Sequence, residues 1–336
     1  MPRLPVPLPA SLAYPVFTAE EARLAGVPVW RLRAQDLEQR EFGLYAQRGV
    51  PVTEANIVAA YCRLDPPTFA AGLTAARILG LPLRGRLGDE VTTPPMSASI
   101  YTRGTGGRRR RRNDRIDRRI HLATTGVRRG DTALIRWSQL VVGDGQMIRT
   151  SSGLRVTSRL RTFQDLAPVL SHEGLVAIGD HLVRIPRQRF EQRAEPFVPL
   201  AELRAAADAF SGRGALAFRR AVARVRVSSD SPAETALRLA FVDAGMPEPV
   251  VNQPAVVNGV RLGEPDMYWP GLKVMVEHEG PSHLTKEQQA RDIDRTERRT
   301  RAGCIEVRTV AEDLSSGCAR AVDRVRWALR KQGWEG

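Results

Sequence analysis

The segment from Pro265 to Gly280, PDMYWPGLKVMVEHEG, decides the fold of the C-terminal part of the chain. It contains two short apolar runs, MYW and VMV, and the Pro270-Gly271 pair between them turns the chain. Two apolar runs joined by a tight turn predict a pair of antiparallel strands. This strand pair is the centre of the predicted C-terminal fold.

Acidic residues flank both predicted strands. Asp266 precedes the first run, and Glu277 and Glu279 end the second. Side chains alternate along a strand, so Glu277 and Glu279 share one face while His278 points to the other. Pairing around the turn places Asp266 beside Glu277, where carboxylates repel one another unless a divalent cation binds. Oxygen ligands suit Mg²⁺ or Mn²⁺, which can activate water against a phosphodiester, so the sequence predicts these three acids as metal ligands.

The elements on either side complete an α/β domain over residues 228–336. Ser231, with proline next and Glu234 three residues later, marks a helix start, and Asn258-Gly259 predicts a hairpin. A long polar helix over about 285–302, a strand CIEVRTV and a closing helix follow. The predicted order is αβββαβα. Glu234 has two interpretations: it completes a capping box with Ser231, or it is a catalytic residue of the acidic site.

The length and the predicted elements indicate a multidomain α/β (α+β) protein, and the cysteine usage indicates the cytoplasm. The chain has 336 residues, of which 42% are hydrophobic and 26% charged, and no apolar run is long enough for a membrane span. The N-terminus has no secretory signal pattern. Three cysteines without CxxC spacing form neither a disulfide framework nor a zinc site.

The charge is distributed unevenly along the chain. The net charge is +14, yet the residues from Ser228 onward include 15 basic and 17 acidic side chains. The first 227 residues carry 36 basic and 20 acidic side chains. A basic front joined to a slightly acidic back predicts a part that binds a polyanion and a separate catalytic or regulatory part.

Residues 1–50 predict a small winged helix. Thr18 and Glu21 form a capping box at the start of one helix, and a second helix is expected over about 28–37. The strand and turn pattern EFGLYAQRG follows, and two short helices before a β-hairpin are the arrangement of a small winged helix. The second helix carries Arg31 and Arg33, which would contact DNA if this helix enters a groove. The alternative interpretation is a short helical hairpin that does not bind DNA, because it would have the same sequence pattern.

Residues 51–227 are predicted to be a basic, mixed α/β middle region. Within it, residues 104–119 read GTGGRRRRRNDRIDRR. Such a block repels itself and predicts a loop. Its first five arginines would supply nonspecific phosphate contacts, or they form only a solvated loop. These arginines are Arg108, Arg109, Arg110, Arg111 and Arg112.

The C-terminal motifs resemble a known family when they are taken together. P-D-x(10)-E-x-E resembles the PD-(D/E)xK nuclease signature, and the wider pattern resembles actinobacterial endonuclease-domain proteins related to very-short-patch-repair endonucleases. The shared features span residues 228–320. They are SPxE at Ser231–Glu234, D-x-x-W at Asp266–Trp269, VExEG at Val276–Gly280, His283, R-D-x-x-R at Arg291–Arg295, and Gly303.

This resemblance implies a restriction-endonuclease-like core with Asp266 and Glu277 as the first metal ligands. Glu279 stands where the wider superfamily has lysine, which orients the attacking water. Glu279 would be a further metal ligand or the water-orienting group, and His283 and Lys286 are the candidate substitutes for the lysine. Arg299 stands where relatives have an apolar residue.

The helix after the strand pair carries further candidates. Arg291 and Arg295 would contact phosphate, although Arg295 and Asp292 are also spaced to pair with each other. The N-terminal segments FTAEEARLAGVPVWRLRAQDL and GLRVTSRLRTFQDLA are similar to proteins with an AbiEi-antitoxin-type winged helix.

Two functional hypotheses remain open at this point. The first is a metal-dependent DNA endonuclease in which Asp266, Glu277, Glu279, His283 and Glu234 are catalytic. The second is a non-enzymatic, AbiEi-type antitoxin or transcriptional regulator with a degenerate nuclease fold. The expected partner is DNA, with RNA not excluded. A cognate toxin or a second copy of the chain is a further candidate partner.

Overall fold

A computed structural model describes residues 5–83, 119–187, 191–280 and 286–336, and these residues form a mixed α/β structure. The α-helices in these ranges are α1 (Ala19–Leu24), α2 (Glu54–Leu64), α3 (Gly72–Ile78), α4 (Arg159–Leu166), α5 (His172–Val183), α6 (Leu200–Ala209), α7 (Ala215–Ala223), α8 (Pro232–Asp243), α9 (Lys286–Arg301) and α10 (Ala319–Lys331). The first eight strands are β1 (Val16–Thr18), β2 (Leu37–Glu41), β3 (Leu44–Gln47), β4 (Thr68–Ala70), β5 (Ile120–Thr124), β6 (Ile135–Gln139), β7 (Met147–Arg149) and β8 (Arg155–Thr157). The others are β9 (Val250–Val251), β10 (Val256–Val257), β11 (Val260–Arg261), β12 (Met267–Trp269), β13 (Val274–His278) and β14 (Ile305–Thr309). The predicted α/β (α+β) multidomain fold class is confirmed.

The chain divides into two compact units, Met1–Leu166 and Ala167–Gly336. The sequence analysis places its boundaries elsewhere, at residues 50/51 and 227/228. The helices α5, α6 and α7 therefore belong to the same unit as the predicted nuclease core.

The first unit begins with a three-stranded antiparallel sheet in the order β1-β3-β2. The predicted capping box is present: the Thr18 side chain accepts a hydrogen bond from the Glu21 backbone, and Glu21 bonds back to Thr18. The predicted hairpin is also present as β2 and β3. A second sheet follows in the order β6-β5-β4-β8-β7, and α2, α3 and α4 belong to this unit.

The prediction of a helix over residues 28–37 is wrong. This segment forms only a five-residue 3₁₀ helix, Val29–Arg33, before β2 begins. Val29 and Trp30 are 70% and 64% exposed, so the segment buries too little apolar surface to stabilise a longer helix. The winged-helix prediction therefore keeps its hairpin but loses the second helix that was expected to enter a groove.

The second unit is built on a four-stranded sheet in the order β14-β13-β12-β9. Strands β9, β12 and β13 are antiparallel neighbours, and β14 joins β13 in parallel after the crossover through α9. Helices α8 and α10 pack on one face of the sheet. The core on that face includes Leu237 and Phe241 of α8, Val276 of β13, and Val325 and Leu329 of α10.

The Asn258-Gly259 hairpin prediction is confirmed, with one difference. Both residues have positive φ angles, 50° and 79°, as a tight hairpin turn requires. Strands β10 and β11 nevertheless form a separate two-stranded sheet and do not extend the main sheet.

None of the helices in the described part of the chain combines the length and apolar character that crossing a bilayer requires.

Candidate functional site

The pairing of β12 with β13 brings Asp266 and Glu277 together. In the antiparallel register Met267 lies opposite Val276, so the next pair outward is Asp266 and Glu277. The backbone N–H of His278 donates a hydrogen bond of 2.6 Å to Asp266 Oδ2. This bond fixes the Asp266 carboxylate against the end of β13, as the sequence pattern predicts.

Glu234 reaches the same end of the sheet from helix α8. Ser231 caps the helix by accepting the Glu234 backbone N–H at 3.2 Å. The Glu234 carboxylate does not close the expected capping box. Its Oε2 atom accepts hydrogen bonds from the Asp230 backbone N–H at 2.9 Å and from the Asn252 side chain. The Asn252 backbone N–H in turn donates to the Asp266 carbonyl at 3.1 Å, which links Glu234 to β12.

Burial and the charges of neighbouring acids raise the pKa values of the three acids. Desolvation is the main cause of the raised pKa at each of Glu234, Asp266 and Glu277. The charge of Asp266 further raises the pKa of Glu277 and that of Glu234, which reaches about 7. The three carboxylates therefore form one electrostatically coupled group, referred to below as the acidic cluster.

A buried arginine of α9 contacts this cluster. Arg299 Nη1 donates to Glu277 Oε1 at 2.6 Å and to Glu306 Oε2 at 2.8 Å, and Arg299 Nε donates to the Leu262 carbonyl at 3.0 Å. The guanidinium lowers the pKa of Glu277 and so opposes the effect of burial. One oxygen of Glu277 is therefore already occupied by a cationic side chain.

Glu279 is engaged elsewhere. Its side chain is half exposed and pairs with Arg308 at 3.1 Å. Arg308 also pairs with Asp292 at 2.8 Å and with Glu306 at 2.7 Å. Glu279 thus belongs to a surface network of charges rather than to the hydrogen-bonded group around Asp266.

The described residues include no group of three or more acidic, histidine or cysteine side chains that could hold a metal ion. Magnesium needs fewer protein ligands, since one or two carboxylates with several waters suffice. In the described residues, no side chain or backbone group donates a hydrogen bond to Asp266 Oδ1 or Glu277 Oε2. The Asp266–Glu277 pair therefore fits a magnesium ion, although the three-ligand set with Glu279 is not assembled.

The remaining predicted residues have varied placements. His278 lies against Thr309, with its Nδ1 atom 3.1 Å from the Thr309 hydroxyl oxygen. His283, the Lys286 side chain and the arginines Arg108, Arg109, Arg110, Arg111 and Arg112 lie outside the described residues.

The arginines predicted to bind nucleic acid differ in their surroundings. Some are buried or paired with an acid, and others are exposed. Arg31 is buried, and its guanidinium pairs with Asp36 at 2.6 Å, so this placement gives no support for a DNA contact. Arg33 and Arg291 are exposed. Arg295 pairs with Asp292, which is the alternative that the spacing allows.

Comparisons with known proteins give relatives without an assigned role. No protein-family model matches the chain. The uncharacterized proteins MT2308 and Rv2248 of two Mycobacterium tuberculosis strains are each 27% identical to it over 217 residues. The match covers 62% of this chain and 76% of each relative.

The sequence analysis missed a cleft beside the acidic cluster. The cleft has a volume of about 310 Å³, and its lining includes Arg187, Asp230, Asn252 and Glu264. Arg187 pairs with Asp230 and donates to Asn252 Oδ1 at 3.2 Å, and its charge lowers the pKa of Asp266. Arg187 is distant in sequence from Asp266, and no motif surrounds it. Sequence spacing therefore could not predict that Arg187 lies near this carboxylate.

Proposed function

We propose that the chain is a metal-dependent endonuclease that hydrolyses phosphodiester bonds in DNA. The observation that carries this proposal is the placement of Asp266 opposite Glu277 at the ends of paired strands, with Glu234 coupled to them. Asp266 Oδ1 and Glu277 Oε2 would hold Mg²⁺ or Mn²⁺. When bound, such an ion lowers the pKa of a water ligand and stabilises charge on the scissile phosphate.

Other residues of the chain would orient the two ligands and accept a proton. The His278 N–H orients Asp266, and Arg299 orients Glu277. Burial raises the pKa of Glu234 to about 7, which is in the range that suits a general base near neutral pH. Its carboxylate would accept a proton from the attacking water.

The first unit supports nucleic acid as the substrate. It carries 26 basic and 14 acidic residues, a net charge of +12, whereas the second unit carries 25 and 23. Such a charge attracts a phosphate backbone, and binding should weaken steeply with salt. The cytoplasm, where DNA is accessible, is the compartment that this proposal requires.

A cleavage assay on the full chain tests the proposal. Supercoiled plasmid, linear duplex DNA and single-stranded RNA are incubated with the protein in Mg²⁺, Mn²⁺ or EDTA. We expect DNA cleavage only with metal, and a loss of at least about a hundredfold in rate for Asp266→Ala. Asp323→Ala, in which an acid of α10 that is 79% exposed is replaced, is the matched control and should keep its activity. Cleavage that persists in Asp266→Ala or in EDTA would refute the proposed metal-dependent mechanism. Preferential cleavage of RNA would show that RNA, and not DNA, is the substrate.

The second candidate function is a DNA-binding regulator without catalysis. It is favoured by the arginine partners of Glu277 and Glu279, because two of the three predicted ligands already pair with a guanidinium. A regulator of the AbiEi type would act with a cognate toxin or as a homodimer. DNA retention without cleavage and without a Mn²⁺-induced rise in melting temperature would support this function over the first.

A further inference from the structure

Arg299 is an unusual residue for its position on helix α9. Its side chain is 1% exposed, yet it carries a full charge into the interior beside the main sheet. Two acids share this charge: Glu277 at 2.6 Å and Glu306 at 2.8 Å. A buried charge is tolerated only when it is paired, and these two carboxylates provide the pairing.

The geometry leaves the guanidinium incompletely bonded. Nη1 serves both carboxylates and Nε bonds the Leu262 carbonyl, while Nη2 is buried without a hydrogen-bond partner in the described structure. Gly263 lies beside it, and a Cβ atom at that position would come within 3.6 Å of Nη2. The contacts with Glu277 and Glu306 therefore hold the side chain in place, and Glu277 is the member of the pair that belongs to the acidic cluster.

Resting on the proposed function, we propose that Arg299 is a positioning residue that sets the cation affinity of the site through Glu277. It holds Glu277 Oε1, so that Oε2 is the oxygen that would bind the cation. Its positive charge also neutralises part of the charge that attracts a cation. Arg299 thus keeps the Asp266–Glu277 pair stable without metal, at the cost of weaker metal binding.

The test removes Arg299 together with its second partner Glu306, so that Glu277 is the one acid left without the guanidinium. Mn²⁺ is titrated calorimetrically into the full-length wild type and into R299M/E306Q, in which both partners become neutral. Arg299 Nη1 is in direct contact with Glu277 Oε1, at 2.6 Å, so the loss of this positive charge should dominate over the loss of the Glu306 charge. We expect the double variant to bind Mn²⁺ about tenfold more tightly, which corresponds to about 1.4 kcal/mol. General damage to the fold would weaken binding, so tighter binding is a result that a purely structural role does not produce.

Three controls make the result specific. R299K keeps the charge and should bind Mn²⁺ within about threefold of wild type. E306Q alone keeps Arg299 beside Glu277 and should not bind more tightly. D180N/R238M removes another buried pair of the same unit, one that does not contact the acidic cluster, and should leave the Mn²⁺ affinity unchanged.

The outcomes separate this inference from the proposed function. Equal or weaker Mn²⁺ binding by R299M/E306Q, with wild type binding normally, overturns the role of Arg299 and leaves the proposed function in place. Absence of Mn²⁺ binding in wild type and in all variants overturns both.

Discussion

Glu234 lies in the first turn of α8 and also carries a buried carboxylate, whose ionisation is unfavourable at neutral pH. Its backbone is capped by Ser231 at the start of α8, while its carboxylate is buried and faces the charge of Asp266. The hydrogen bonds from Asp230 and Asn252 favour the ionised form but do not offset burial. The folded chain therefore binds a proton at Glu234 that the unfolded chain releases at lower pH.

This difference predicts a pH-dependent stability. The pKa of Glu234 is raised from 4.5 to about 7, so the free energy of unfolding should fall as pH rises through this window. Glu234→Gln cannot ionise and avoids this loss. Relative to wild type, the variant should gain on the order of 3 kcal/mol between pH 4.5 and pH 8. Urea unfolding in EDTA at the two pH values measures the gain, and an equal difference at both would show that Glu234 has an ordinary pKa.

The sequence was sufficient to locate the central acids but not their partners. Alternation along the strands and the Pro270-Gly271 turn predict Asp266 beside Glu277, because both signals are local. Arg299 and Arg308 reach Glu277 and Glu279 from residues that are distant in sequence, and their side-chain directions depend on packing. For that reason the expected role of Glu279 as a third ligand could not be judged from the sequence.

At the scale of elements, local signals succeeded where they agreed with burial. The start of α8 and the β10–β11 hairpin follow from a cap and from an Asn-Gly turn. The helix expected over residues 28–37 has suitable residues but no buried face, so only a 3₁₀ turn forms. Whether a segment buries an apolar face depends on its neighbours, and one segment of sequence does not contain that information.

The cap of α8 should matter for both stability and activity. Ser231→Ala removes the hydrogen bond to the Glu234 backbone and should lower the free energy of unfolding by about 1 kcal/mol. Fraying of the first turn also displaces the Glu234 carboxylate, so DNA cleavage should fall by about tenfold.

Ser171→Ala is the matched control for this prediction. Ser171 caps α5 in the same way, with a 3.2 Å hydrogen bond from the Gly174 backbone. Its loss should reduce stability by a similar amount and leave cleavage unchanged. Equal losses of cleavage in the two variants would mean that the effect comes from stability alone.

At the scale of the whole molecule, a buried ion pair determines which residues the second unit requires in order to fold. Asp180 of α5 pairs with Arg238 of α8 at 2.8 Å, and the two side chains are 2% and 1% exposed. Asp180 also accepts hydrogen bonds from the Arg226 backbone and the Thr235 hydroxyl. Helix α5 therefore supplies the counter-charge for a helix of the acidic cluster. Composition, which changes near residue 228, gives no sign of this dependence.

Two fragments test this dependence. A fragment of residues 228–336 lacks Asp180 and leaves Arg238 with only its longer contact to Glu248, at 3.4 Å. Loss of one partner of a buried pair costs about 3–5 kcal/mol, which is a large part of the stability of a small domain. We expect this fragment to lack a cooperative thermal transition by circular dichroism, whereas a fragment of residues 167–336 should show one. Cooperative unfolding of the shorter fragment would contradict the prediction.

The double contact of Arg299 with Glu277 and Glu306 also constrains how this protein can evolve. Replacing the arginine alone leaves two buried anions without this partner, and placing the arginine there without Glu306 leaves its buried charge with Glu277 as its one acidic partner. Divergent copies of this gene should therefore exchange positions 299 and 306 together, as a coupled charged or uncharged pair. A relative that lacks the charges at both position 299 and position 306 should bind the metal ion more tightly than this chain.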